Sequence, residues 1–112
     1  MPPDITPPVP VAASLVWATL VLTVTWDQAL VAQPTAANNW IAQAHPVGVP
    51  DRHVNPAPGA SVGNQTTMTV AFTGPAAGVN RVRYLAAPPD IIGAGPGGLP
   101  AAAFANFPLA VV

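Results

Sequence analysis

The sequence contains no cysteine and no lysine, and each absence removes a class of protein. Without cysteine the chain can form neither a disulfide framework nor a thiolate metal site. Only three of its 112 residues are basic, all of them arginines, and the formal net charge is -1. Three scattered arginines cannot neutralise a run of phosphates, so we predict that the chain does not bind nucleic acid.

Charge of either sign is scarce, since only seven residues carry it. A surface with so little charge must be largely apolar or hydroxyl-bearing, and partners commonly cover such a surface on a small domain. We therefore expect a homo-oligomer, or a chain docked onto other proteins. The charged residues are Asp4, Asp27, Asp51, Asp90, Arg52, Arg81 and Arg83.

The uncharged run over residues 8–26 is about as long as a membrane span. A span or an export signal is one interpretation, and two consecutive strands are the other. Thr19, Thr23 and Thr25 alternate with apolar residues, which is the period of a half-buried strand. No basic residue precedes the run, and the nearest one after it is Arg52. We predict strands, with neither a membrane span nor a conventional signal peptide.

Sixteen prolines and nine glycines divide the chain into short segments. Proline disrupts helix interiors and central strands, so the fold class predicted is all-β. Pro50 restricts residues 47–54 to an edge strand or irregular structure. Six or seven strands spaced about ten residues apart are typical of an immunoglobulin-like β-sandwich. The other predicted strands are 11–17, 19–26, 40–44, 66–73, 81–85 and 107–112, with loops at 33–39, 55–65 and 86–103.

The alternation within these strands predicts a single core. Apolar side chains at every second position of a strand face the same way. The predicted core residues are Leu20, Leu22, Val24, Trp26, Trp40, Met68, Val70, Phe72, Val82 and Tyr84.

Residues 1–10 contain five prolines and form a separate segment before the domain at 11–112. Such a segment favours an extended, polyproline-like conformation. It is either a disordered tail or an arm that lies along a neighbouring subunit.

Residues 90–105 match the glycine fingerprint of FAD- and NAD-binding domains, with Gly93, Gly95 and Gly98 in its glycine positions. That fingerprint needs a strand, a full helix and an acidic residue about 20 positions further on. Here Pro100 interrupts the would-be helix and no acidic residue follows Asp90. We predict no FAD or NAD site, and a flexible loop across the end of the sandwich.

Residues 59–63 match the G-x-S-x-G pattern of α/β-hydrolases, with Ser61 as the nucleophile. That pattern requires a histidine after the serine, and both histidines of this chain precede it. Asp51 and His53, with His45 upstream, are too few for a catalytic metal site. We predict no catalytic, cofactor-binding or metal-binding residue, and a protein that is not an enzyme.

Three segments carry a family resemblance: Trp26-Asp27-Gln28-Ala29-Leu30, Val82-Arg83-Tyr84 and Phe104-Ala105-Asn106. Together they resemble the Ig-like repeats of bacterial surface proteins, of the cyanobacterial swimming-motility type, over residues 9–112. The resemblance implies an Ig-like sandwich without catalysis. In that family the loop before F-x-N is acidic and polar, whereas here it reads GAGPGGLP, so no calcium role is expected for it.

Domains of this type also occur as small decoration, fibre or tail components of phage particles, which suggests two functions. The first is a virion structural protein on a phage capsid, head fibre or tail, with itself or other virion proteins as partners. The alternative is a carbohydrate- or surface-binding adhesin-like module at the cell surface or secreted. The missing export signal favours the first.

Overall fold

The computed structural model of the chain describes residues 7–44, 52–54, 56–70, 79–95 and 98–112. In this part the chain forms ten strands and one short 3-10 turn, Ala37–Asn39, which confirms the predicted all-β class. The strands are β1 Pro10–Val16, β2 Val21–Trp26, β3 Gln33–Thr35, β4 Trp40–Ala44, β5 Arg52–Val54, β6 Gly59–Val62, β7 Gln65–Thr69, β8 Val79–Tyr84, β9 Phe104–Pro108 and β10 Ala110–Val111.

The strands lie in two sheets. One has six strands in the order β10-β1-β2-β7-β6-β3, and the other has four in the order β5-β4-β8-β9. Strands β1, β2, β7 and β6 have the order A-B-E-D of an immunoglobulin sandwich, and β4, β8 and β9 have the order C-F-G. All neighbours are antiparallel except β1 and β10, which pair in parallel. The predicted sandwich is confirmed.

Alternation determines which face of each strand is buried. In β2, Leu22, Val24 and Trp26 are buried, and the residues between them are half-buried. In β7, Thr66 and Met68 are buried while their neighbours are exposed. These two strands therefore each present one face to the core and the other outward.

Most of the predicted core residues are buried, with Leu20 wrongly placed among them. Leu20 lies in the turn between β1 and β2 with a φ of 58°, and it is only half-buried. Leu20 precedes β2, which begins at Val21, so the alternation of that strand does not include it. Phe72 lies outside the described residues. The buried apolar residues are Ala13, Leu15, Leu22, Val24, Trp26, Leu30, Trp40, Ala42, Met68, Val70, Val82, Tyr84, Ile91, Ala101 and Leu109.

Two predicted loops contain strands. β3 lies within residues 33–39 and contains Pro34, which is accepted because β3 is at the edge of its sheet. β6 lies within residues 55–65 and begins at Gly59. A Cβ at Gly59 would collide with the carbonyl oxygen of Thr67 on β7, so only glycine fits there. Glycine and proline predict loops in both segments. In the structure Gly59 lets β6 approach β7 closely, and Pro34 lies in an edge strand that pairs on one side only.

The predicted last strand is two strands in different sheets. β9 pairs with β8 in the four-stranded sheet, and β10 pairs with β1 in the six-stranded sheet. Leu109 is buried between them, where the chain crosses over. The described part of residues 47–54 is β5, which pairs only with β4 and is an edge strand as predicted.

The described end of the proline-rich segment packs on its own domain. Pro8 is buried, and Pro10 opens β1. The N–H of Val9 donates to Asp27 Oδ1 at 3.0 Å, and the N–H of Asp27 donates to the Val9 carbonyl at 3.0 Å. The rest of the predicted arm, residues 1–6, lies outside the described residues. The described part of the chain has no helix long and apolar enough to cross a membrane.

Replacing Trp40 by alanine should lower the free energy of unfolding by about 3–5 kcal/mol, because Trp40 is fully buried and its loss opens a large cavity. Urea unfolding measures this loss. The matched control is Trp17→Ala. Trp17 is 36% exposed, so its replacement should lower the free energy of unfolding much less. Equal losses in the two variants would contradict the placement of Trp40 in the core.

Candidate functional site

Four aromatic rings from both sheets meet at the centre of the sandwich. Trp26 comes from β2, and Trp40, Tyr84 and Phe104 come from β4, β8 and β9. The centroids of Trp40 and Tyr84 are 4.7 Å apart. Trp26 stands edge-on to both, with its centroid 6.4 Å from each. Each aromatic pair of this kind adds about 0.5–1.5 kcal/mol to the free energy of unfolding, in addition to the contribution of its buried area.

Buried threonines accept the N–H groups of both core tryptophans. Trp26 Nε1 donates to Thr66 Oγ1 at 3.1 Å, and Thr66 Oγ1 lies 2.7 Å from Ser61 Oγ. Trp40 Nε1 donates to Thr35 Oγ1 at 2.7 Å, which is a hydrogen bond from the four-stranded sheet to the six-stranded one. The indoles can therefore be buried without leaving a donor unpaired.

Asp90, in the segment after β8, collects hydrogen bonds from both sheets. Its Oδ1 accepts from Thr35 Oγ1 at 2.9 Å and from the Tyr84 hydroxyl at 3.1 Å. Its Oδ2 accepts from the N–H of Ala36 at 2.8 Å. Its backbone carbonyl accepts from the side-chain amide of Gln33. One carboxylate thus joins β3, β8 and the segment that follows β8.

The hydroxyl of Tyr84 is engaged as both donor and acceptor. It donates to Asp90, and it accepts from the N–H groups of Asp90 at 2.9 Å and Ile91 at 3.2 Å. Burial raises the pKa of Tyr84 above its ordinary value of 10.0, the two N–H donors oppose the shift, and the negative charge of Asp90 adds to it. Tyrosine and aspartate in contact could serve as acid and base. Tyr84 has no exposed surface, however, so this pair stabilises the fold.

Asn39 fixes the beginning of the same segment. Its side-chain oxygen accepts from the N–H of Ala87, and its side-chain nitrogen donates to the Pro88 carbonyl, each at 2.7 Å. The peptide bond between Ala87 and Pro88 is cis. Asn39 is fully buried, and these two hydrogen bonds give both of its polar side-chain atoms a partner within the protein.

The glycine-rich stretch is anchored to the sandwich, where the sequence predicted a flexible loop. Gly93 forms a bridge with Leu30, and Ile92 forms a bridge with Pro100. Ile91 and Ala101 are buried, and the N–H of Ala101 donates to the Ile91 carbonyl at 2.8 Å. The described residues 98–105 contain no helix, so the pyrophosphate-binding turn of the fingerprint has no counterpart in them.

Ser61 lies inside strand β6 with its side chain turned to the core. The chain continues through a turn at Gly63 into β7, so Ser61 is not on a strand-to-helix elbow. Asp51 and His45 lie outside the described residues, as does the side chain of His53. Among the described residues no three metal-ligating side chains come together.

Two shallow cavities lie beside Phe104 and share Ala103. An apolar one of about 290 Å³ lies between residues 7–10 and residues 102–104. The other, of about 280 Å³, is lined by Arg83, Tyr84, Leu85 and Ala105 as well. Neither brings two titratable side chains to an exposed surface, because Tyr84 is fully buried.

The two sheets differ in charge. The six strands of the larger sheet contain no charged residue, whereas the smaller sheet contains Arg52 in β5 and Arg81 and Arg83 in β8. Arg81 and Arg83 are exposed on the outer face of that sheet. Sequence reasoning noted the scarcity of charge but missed its one-sided distribution, which depends on the pairing of the strands.

Comparison with protein-family models, with curated proteins and with solved structures found no match to this chain. The resemblance to Ig-like repeats of bacterial surface proteins therefore stays a prediction. The strand order is supported by the structure alone.

The chain has one tyrosine, so its alkaline absorbance titration reports on Tyr84 alone. Because the folded-state pKa is raised, the unfolded chain should lose its phenol proton at a lower pH than the folded chain. The free energy of unfolding should be at its full value below pH 10.0 and fall as the pH rises above it. In Tyr84→Phe this fall should be absent. An ordinary tyrosine titration in the folded protein would contradict the buried phenol.

Replacing Asp90 by alanine should destabilise the protein by about 3 kcal/mol, because the buried hydroxyls of Thr35 and Tyr84 lose a charged acceptor. Asp27→Ala is the matched control. It removes a carboxylate that accepts one exposed N–H, so it should lower the free energy of unfolding less than Asp90→Ala does. Urea unfolding compares the two, and a larger effect at Asp27 would contradict the proposed role of Asp90.

Proposed function

We propose that this chain is a non-enzymatic structural protein that acts through protein–protein contacts, as a component of a virus particle such as a capsid decoration, head-fibre or tail protein. The observation that carries the proposal is the uncharged outer surface of the six-stranded sheet. A soluble domain rarely leaves a broad face without charge unless a partner covers it.

The use of polar groups inside the protein supports a role without catalysis. The contacting acid and hydroxyls, Asp90, Tyr84 and Thr35, are bonded to one another and to backbone groups. A catalytic set needs at least one group free to meet a substrate. In the described part of the chain these groups contribute to the stability of the sandwich instead.

The assignment to a virus particle rests on analogy of fold. Ig-like sandwiches serve many functions, so the fold alone does not choose among them. The low charge and the proline-rich start of the chain support a protein built into an assembly, where neighbours cover its surface. The adhesin-like alternative requires a glycan site, and the outward residues of the six-stranded sheet include no aromatic ring on which a sugar could stack.

Sedimentation velocity of the full chain, alone and mixed with purified phage capsids or tails, tests the proposal. We expect concentration-dependent self-association, or co-sedimentation with particles. Either should change little with moderate salt, because apolar and uncharged contacts are weakly screened. A deletion of residues 1–6 separates the contribution of the arm, and it spares the Val9–Asp27 contact.

A chain that is monomeric at high concentration, does not dock onto particles and binds a glycan with saturation would contradict the proposal. The adhesin-like module would then be the better account.

A further inference from the structure

We propose that the two cavities beside Phe104 form one binding site for a small organic anion, a molecule with an apolar body and one carboxylate or sulfonate group. The apolar cavity of about 290 Å³ holds the body. Arg83, in the adjoining cavity of about 280 Å³, binds the anionic group. Both cavities are lined by Ala103 and Phe104, and we call them together the Phe104 site. The inference does not depend on the proposed function, which concerns contacts between proteins.

The apolar cavity of the Phe104 site has walls of proline, valine, alanine and phenylalanine. Residues 7–10 form one wall, and residues 102–104 form the other. Cavities that bind small molecules have volumes of roughly 300–1,000 Å³, and most of their lining is apolar, with a few polar groups that orient the ligand. The apolar cavity is close to the lower end of that range, so it fits a small aliphatic or aromatic body.

Both walls of the apolar cavity are fixed to the sandwich before any ligand binds. The N–H of Val9 donates to Asp27 Oδ1, and the N–H of Asp27 donates to the Val9 carbonyl, each at 3.0 Å. In the other wall, the half-buried ring of Phe104 has its centroid 5.9 Å from that of Tyr84 and 6.0 Å from that of Trp40. Walls that are already ordered lose little conformational entropy when a ligand binds.

Arg83 brings to the Phe104 site a positive charge that neither described aspartate neutralises. Its side chain is exposed. Asp90 instead accepts hydrogen bonds from buried hydroxyl groups, and Asp27 accepts one from the N–H of Val9. A guanidinium binds a carboxylate or a sulfonate through charge-assisted hydrogen bonds, which are stronger than those between neutral groups. The charge of Arg83 therefore selects an anionic ligand over a neutral one of the same shape.

The backbone beside Arg83 adopts conformations that residues with a side chain rarely adopt. Ala86 has a φ of 53° and directly follows Leu85, and Asn106 has a φ of 56° and directly follows Ala105. Leu85 and Ala105 both line the cavity that contains Arg83. The register of β8 with β9 also shifts here, so that Ala105 and Asn106 together lie opposite Arg83. Bulges and left-handed residues cost stability and are concentrated at binding sites, where they direct side chains towards a ligand.

The test is fluorescence titration of the full chain with two probes that share an aromatic body. Anilinonaphthalene sulfonate is an anion, and phenylnaphthylamine is its uncharged counterpart. We expect the sulfonate to bind with saturation at one site per chain. Arg83→Gln should raise the Kd of the sulfonate by at least about tenfold, because a charge-assisted hydrogen bond is lost. The same change should leave the Kd of the neutral probe within about twofold.

The matched control for the charge is Arg81→Gln. Arg81 lies on the same face of β8 but outside the Phe104 site, so the Kd of each probe should stay within about twofold of its original value. Ala103→Phe fills the point that the two cavities share, and it should weaken the binding of both probes. Its control is Ala12→Phe, at an exposed position of the other sheet. Circular dichroism and thermal unfolding verify that each variant is folded.

Three results would overturn the inference: no saturable binding of the sulfonate, binding that Ala103→Phe leaves unchanged, or equal effects of Arg83→Gln on the two probes. The first would mean that the cavities hold no ligand of this class, and the second that the ligand binds elsewhere. The third would mean that Arg83 does not recognise the anionic group. None of these results bears on self-association or on docking to particles, so the proposed function is tested separately.

Discussion

The contact of Trp40 with Tyr84, with Trp26 edge-on to both, is the interaction on which the rest of this structure depends. In antibody domains a disulfide joins strands B and F beside a buried tryptophan of strand C. This chain has no cysteine, and its β2 and β8 carry Trp26 and Tyr84 instead, with centroids 6.4 Å apart. The rings join the sheets through packing, which is possible only because a hydroxyl or carboxylate satisfies each polar ring atom.

Two aspartates attach segments outside the sheets to the sandwich. Asp90 satisfies Tyr84 and Thr35, and so ties the long segment after β8 to both sheets. Asp27 is used in the same way for the residues before β1. Two of the four carboxylates are thus engaged in internal contacts, and the strands of the six-stranded sheet contain none. Among the strands, charge lies only on the four-stranded sheet, where Arg81 and Arg83 are exposed. The proposed role in contacts between proteins rests on the uncharged outer surface of the other sheet.

Local patterns in the sequence predicted those features of the fold that a single strand determines. Alternation identified β2, β7 and β8. Pro100 and the missing acidic residue led us to predict no dinucleotide site, and the lack of a histidine after Ser61 led us to predict no nucleophile there. The remaining features depend on pairs far apart in the chain. Thr35 and Asp90 are 55 residues apart, and no local pattern connects them. The uncharged outer surface of the six-stranded sheet follows only from the register of β2 with β7 and from the placement of β3 and β10 at the sheet edges, although the alternating threonines already indicated which side faces outward.

Hydrogen exchange of the three indole N–H groups tests most directly whether the aromatic contact holds the sheets together. Trp26 and Trp40 should exchange only when the whole protein unfolds, because both N–H groups are bonded to buried threonines. Trp17, in the turn after β1, should exchange far faster and serves as the internal reference. Exchange of Trp40 as fast as that of Trp17 in the folded protein would contradict the account.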